Sequence, residues 1–177
     1  HGPIFQKNKI LTVHDITPIF FKQKSLKQFV YYSLILRLSI LNTKKIITVS
    51  NFTKEKLIEK FGCKRENIIV IFNGTDIDKV DEEFFGGLPE KFLFMPGVHS
   101  DYKNYKNVIT AIAKGSFGGL NLVLTSTNPK VVAYCRQFPF VKVFSKLNYN
   151  HIKFLYKNSL GLIYPSLMEG FGLPALE

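Results

Sequence analysis

Two glutamates, Glu169 and Glu177, bracket the segment Gly170-Phe171-Gly172-Leu173-Pro174-Ala175-Leu176 in a chain of 177 residues. Carboxylates accept hydrogen bonds from hydroxyl groups, and two glycines around an aromatic residue make a turn that lets backbone approach a ligand. The apolar run Leu160-Gly161-Leu162-Ile163-Tyr164, punctuated by Pro165-Ser166, reads as a buried strand. Proline is tolerated in the first turn of a helix, so a helix is expected to open at Leu173-Pro174. Strand, glycine turn and helix N-terminus together present backbone N–H groups and a positive dipole end to an anion. Amides for phosphate beside carboxylates for hydroxyls suit a nucleotide-activated sugar.

Positioning such a site requires a scaffold, and the chain alternates strand and helix patterns throughout, the mark of a parallel α/β architecture. Strands are expected at 10–13, 45–49 and 68–72, with a mostly apolar helix over 25–41 between the first two. Ser50 is placed to cap a helix that Gly62 stops, and Asn73-Gly74 closes the third strand with a turn. Residues 78–90, with Gly86-Gly87 and Pro89, read as a connector. The alternation then restarts, with strands at 92–95, 120–124, 141–144 and 160–164 and helices at 104–114, 131–138 and 150–157. Restarted α/β units fit two Rossmann-like domains facing a cleft, 1–77 and 91–177.

Pro165 through Glu177 resembles, without a gap, the E-x7-E signature of retaining glycosyltransferases of the GT-B fold, in particular family 4. The resemblance implies that Glu169 contacts the donor sugar, that the Gly170, Phe171 and Gly172 turn holds the diphosphate, and that Glu177 takes the ribose hydroxyls. Weaker likenesses run in the same order along the chain. Thr12-Val13-His14-Asp15 resembles the strand end where the family often carries a histidine facing the cleft, with Asp15 orienting His14 or closing the turn. Pro96-Gly97 and Tyr102-Lys103-Asn104 resemble the start of the donor domain, where a basic pair neutralises the diphosphate. Prepositioned cations stabilise the charge that builds on a leaving diphosphate. Lys103 fits the lysine of that pair, with Lys106 as the alternative register and a solvated loop lysine as the plain reading. His99 stands nearest the arginine position, where a mostly neutral imidazole lacks the guanidinium fork.

The remaining features bound the partners. The net charge of +11 is concentrated between Ile16 and Lys54, a stretch without Asp or Glu that holds Lys22, Lys24, Lys27, Arg37, Lys44 and Lys45. A core helix with a basic end and a basic face on anionic lipid both account for the region around 22–45. Its apolar run is too short and too interrupted by Arg37 to read as a transmembrane span. No nucleic-acid-binding module is recognisable, so nucleic acid is not an expected partner. Cys63 and Cys135 lack metal spacing and read as free thiols in a reducing compartment. His1-Gly2-Pro3-Ile4 has no signal-peptide character. Asp76-Ile77-Asp78 has a metal-binding spacing, but the resemblance implies chemistry without a metal or other cofactor.

Together these readings predict a cytoplasmic enzyme, at the inner membrane face in one variant, cut at both ends. It moves a sugar from a nucleotide-diphosphate-sugar to a hydroxyl of a glycan or lipid-linked acceptor in cell-surface polysaccharide biosynthesis, with retention. His14, Lys103 and Glu169 are its expected catalytic residues. A non-catalytic GT-B remnant and a sugar-nucleotide epimerase of the same fold are the alternatives.

Overall fold

The computed structural model describes residues 6, 8–21, 26–76, 83, 86–115 and 117–177, without the side chains of 26–29, 31 and 32. His1-Gly2-Pro3-Ile4, Lys22, Lys24, the Lys27 side chain, Ile77, Asp78 and most of the expected connector lie outside the described residues. The chain forms two compact units. One takes the residues up to Gly74 together with Met168–Gly172, and the other takes Thr75–Leu167 with Leu173–Glu177.

The first unit is a three-stranded parallel sheet in the order β1-β2-β3, from β1 (Lys9–Val13), β2 (Thr43–Thr48) and β3 (Ile68–Val70). Along β1, Leu11 and Val13 are buried while Ile10 and Thr12 face outward, the alternation of a strand with one covered face. Helices α1 (Thr17–Phe20) and α2 (Leu26–Leu41) connect β1 to β2, and α3 (Asn51–Phe61) connects β2 to β3. Ser50 caps α3 by accepting from the Thr53 N–H, and Gly62 ends it at φ 66, donating to the Ile58 carbonyl. Both assignments follow from chemistry local to the sequence: a hydroxyl for an orphan N–H, and a left-handed turn that glycine adopts without penalty. Helix α2 is apolar on two faces: Leu36 and Ile40 pack on the core of Leu11, Ile16, Ile46 and Leu57, whereas Val30, Leu34, Leu38 and Leu41 are exposed. Among the described residues no helix is long and apolar enough to cross a membrane.

The second unit carries a four-stranded parallel sheet in the order β6-β5-β4-β7, from β4 (Phe92–Met95), β5 (Asn121–Thr125), β6 (Val141–Phe144) and β7 (Gly161–Leu162). Helices α4 (Tyr105–Lys114) and α5 (Pro129–Cys135) place Ile109, Val131 and Cys135 on one face, against Met95, Leu122 and Leu124. Helix α6 (Tyr149–Asn158) places Leu155 on the other, against Phe92, Phe94 and Val123. Coverage of both faces explains why these strands read as unbroken apolar runs.

Three elements are shorter than the sequence pattern suggests. The strand expected over 68–72 stops at Val70; Ile71 and Phe72 are exposed, and the Ile71 N–H donates to the Thr48 carbonyl at 2.8 Å. The strand expected over 160–164 is reduced to β7, flanked by single bonds from the Leu160 and Ile163 N–H groups to the Phe92 and Phe94 carbonyls. Pro165 has no N–H with which to extend that ladder. The helix expected from Leu173 is a single 3₁₀ turn, Leu173–Ala175, too short to build a helix dipole at the glycine turn.

Candidate functional site

From β4 the chain steps outward to β5 and β6, then returns to the other side of β4 as β7. The strand order therefore reverses between β4 and β7, and in parallel α/β sheets ligands bind outside the carboxyl ends of strands at such a point. The loops leaving those two strands are joined there, the Leu167 N–H donating to the Tyr102 carbonyl at 2.9 Å. After β4 the backbone turns at Gly97, φ 63, whose N–H donates to Thr125 Oγ1 at 2.8 Å.

Lys103 ends a 3₁₀ turn, Asp101–Lys103, in this loop and is only 8% exposed. Its Nζ donates to the Tyr164 hydroxyl at 2.9 Å and lies 4.7 Å from the Tyr164 ring centroid and 5.2 Å from that of Tyr102. This is not a solvated loop lysine: its stem is packed and its charge is held between two aromatic rings. Lys106, the alternative, is exposed and paired with Asp101 at 2.9 Å. His99 lies on the same loop, and its imidazole is held below the usual histidine range by burial and then by the Lys103 charge. It is accordingly neutral at pH 7.

Two buried hydroxyls in these loops, Ser100 Oγ and Ser166 Oγ, have no hydrogen-bond partner among the described residues. Buried polar groups are rarely left unpaired, so these two hydroxyls, in the loops that also carry Lys103 and Tyr164, are candidates for pairing with a polar ligand. The sequence reading missed both, because an isolated serine in a loop carries no signal of its burial. Glu177, also in this unit, accepts from the Tyr156 hydroxyl at 2.8 Å and the Tyr149 hydroxyl at 3.3 Å. Tyr156 stacks edge-on against Phe94, and its phenol is pushed far above the usual range by burial and then by the bond to Glu177.

The other residues of interest belong to the first unit. His14 follows β1 and is exposed. Asp15 closes the turn: its Oδ1 accepts from the Thr17 N–H at 2.7 Å and the Thr17 hydroxyl at 2.5 Å, ahead of α1. Met168 is buried in the same core as Leu11 and Val13, and Gly170 is buried against the His14–Asp15 backbone. The Gly170 carbonyl accepts from the Ser50 hydroxyl and, at 3.1 Å, from the Thr53 hydroxyl, at the N-terminus of α3. A carbonyl dipole pointing its negative end there also opposes the positive end of the helix. Phe171 tilts against Phe72, centroids 6.1 Å apart. Glu169 is thus fixed between two buried neighbours, in the same unit as His14. Gly172, at φ 90, turns the chain away. The single segment expected from the sequence is divided: Glu169 to Gly172 sit in one unit and Glu177 in the other.

Comparison with known proteins agrees with this architecture. Residues 4–79 match the family model described as Glycosyltransferase Family 4. The O-antigen chain mannosyltransferase RfbU of Salmonella typhimurium is 28% identical over 187 residues, covering 97% of this chain and 49% of that protein. Among solved structures, sucrose-phosphate synthase from Thermosynechococcus elongatus superposes with a TM-score of 0.70 at 16% identity, over 94% of this chain and 46% of that one. Anabaena HepE, solved in complex with UDP and glucose, gives 0.70 at 17% identity, over 94% and 49%. The chain thus spans about half the length of the proteins it matches.

Two parallel α/β units and these likenesses define the class, the GT-B fold of glycosyltransferases. Within that class the chain is similar to glycosyltransferase family 4, whose model matches residues 4–79.

Proposed function

We propose that the protein to which this chain belongs transfers a sugar, with retention, from a nucleotide-diphosphate-sugar to a hydroxyl of a glycan or lipid-linked acceptor in polysaccharide assembly. The observation that carries this reading is the packed Lys103 with the unpartnered Ser100 and Ser166 hydroxyls at the strand-order reversal. That group of donors suits a diphosphate. An ammonium held between rings loses no side-chain freedom on meeting phosphate, and it stabilises the charge that grows as the sugar leaves.

In this reading Lys103 and the two serine hydroxyls hold the diphosphate, with His99 as a neutral donor beside them. Glu177, oriented by Tyr149 and Tyr156, takes the ribose hydroxyls. Glu169 and His14 serve the sugar, and the Gly170–Gly172 turn sets the position of Glu169 through its anchored carbonyl rather than through a helix dipole. The exposed apolar stripe of α2, with Arg37 beside it, would rest the enzyme on an anionic membrane surface.

Thermal unfolding with UDP, GDP, ADP or CDP and their sugar conjugates tests the donor site. A ligand at a hundred times its Kd stabilises by about 2.7 kcal/mol, so one base is expected to give a clear shift. Lys103→Gln is expected to weaken that diphosphate at least tenfold while leaving the free nucleoside unchanged. A folded chain that binds none of the four, or a Lys103→Gln variant that binds as wild type, would overturn the assignment.

A further inference from the structure

Beneath α2, apart from the residues assigned to the donor diphosphate, the first unit contains a cavity of about 300 Å³. Leu11, Val13, Ile16, Ile19 and Leu36 give it apolar walls, and His14 and Asp15 lie on its lining. One further lining residue is out of character. Ser39, on the inward side of α2, is 2% exposed, and its hydroxyl has no hydrogen-bond partner among the described residues. A serine inside a helix commonly bonds back to the carbonyl four residues earlier, and this one does not. With Thr12, His14 and Asp15 forming the polar part of the lining and the apolar side chains the rest, a buried hydroxyl on the α2 wall is a recognition element for one oxygen of a largely apolar ligand.

The size points the same way. An apolar cavity of about 150 Å³ stays dry and takes a benzene ring, so about twice that volume accommodates an aliphatic segment of roughly eight to twelve carbons.

We propose that this cavity is a binding site for an aliphatic segment bearing one oxygen, which Ser39 hydrogen-bonds. A lipid-borne acceptor has this chemistry. The acceptor assignment rests on the glycosyl-transfer reading, whereas the binding itself stands on the cavity alone.

The test uses the intact chain, with calorimetric titration of 1-octanol, of 1-chlorooctane as a weaker hydrogen-bonding counterpart, and of octyl β-glucoside. Wild type is expected to bind all three. Ser39→Ala should weaken 1-octanol about fivefold, the loss of one neutral hydrogen bond, and leave 1-chlorooctane unchanged. Leu36→Trp should fill the chamber and abolish binding, circular dichroism confirming that it folds; Ser39→Ala carries the test if it does not. Failure of 1-octanol to bind a wild-type chain that still binds a nucleoside diphosphate would overturn the cavity site and leave the donor reading intact. Equal binding of 1-octanol by Ser39→Ala would overturn the role of the hydroxyl. Binding of 1-octanol but not of octyl β-glucoside would overturn the acceptor assignment, since the chain could not then enter with a sugar attached.

Discussion

Replacing Gly170 by alanine probes the contact on which the placement of Glu169 depends. A Cβ built at Gly170 would lie inside the hard-sphere radius of the His14 carbonyl oxygen, and 3.1 and 3.2 Å from Asp15 Cβ and Cα. The nearest of these atoms is backbone, so no rotamer change relieves the overlap. Either β1's exit loop moves or the Met168–Gly172 segment lifts, and lifting stretches the bonds from Ser50 and Thr53 to the Gly170 carbonyl. Overpacking of this kind costs about 1–3 kcal/mol. For a chain of this size each kcal/mol corresponds to about 2–4 °C in Tm, so a drop of roughly 3–10 °C is expected in a calorimetric scan. Gly74→Ala is the control, because a Cβ there meets nothing within 4 Å. Ser50→Ala, which removes both the α3 cap and one bond to Gly170, should cost about 1–2 kcal/mol. In the proposed transfer reaction the loss should exceed that in stability: a displacement near 1 Å at a positioning contact costs about a hundredfold in rate. A Gly170→Ala variant that melts within 1 °C of wild type and keeps its transfer rate would refute the docking of this segment against His14–Asp15.

Other outcomes follow from the second unit. His99→Arg, which supplies a fixed charge and a planar fork beside Lys103, should tighten nucleoside diphosphate binding about tenfold. Burial and the Lys103 charge lower the His99 pKa, so the folded chain resists its protonation. The unfolded chain therefore takes up the proton first as pH falls below about 6.5, and stability should decline there in wild type but less in His99→Gln, as denaturant melts at pH 5.5 and 7.5 would record. Tyr156→Phe removes the 2.8 Å bond to Glu177 but keeps the ring against Phe94. It should narrow the preference for ribose over 2′-deoxyribose diphosphates while changing Tm by under about 3 °C, which parallel titrations would show.

The sequence by itself determined what depends on neighbours along the chain. Ser50 and Gly62 set the ends of α3 because capping needs only a hydroxyl and a left-handed turn a few residues apart. The alternation of apolar strands with helices dictated two parallel sheets, and the pattern Pro165 to Glu177 pointed to a sugar-nucleotide enzyme. Lys103 was singled out by its resemblance to a motif, but its burial between Tyr102 and Tyr164 was not legible, because Tyr164 is 61 residues away. The division of Glu169 from Glu177 was equally invisible, since a periodic pattern does not say which sheet a turn will pack against. Only the tertiary structure decided that the Gly170 carbonyl meets Ser50 and Thr53, across 120 and 117 residues. It alone left the Ser39, Ser100 and Ser166 hydroxyls buried without hydrogen-bond partners among the described residues. Those contacts arise from close packing of distant segments, where volume and unpaired polar atoms, rather than local propensity, set the arrangement.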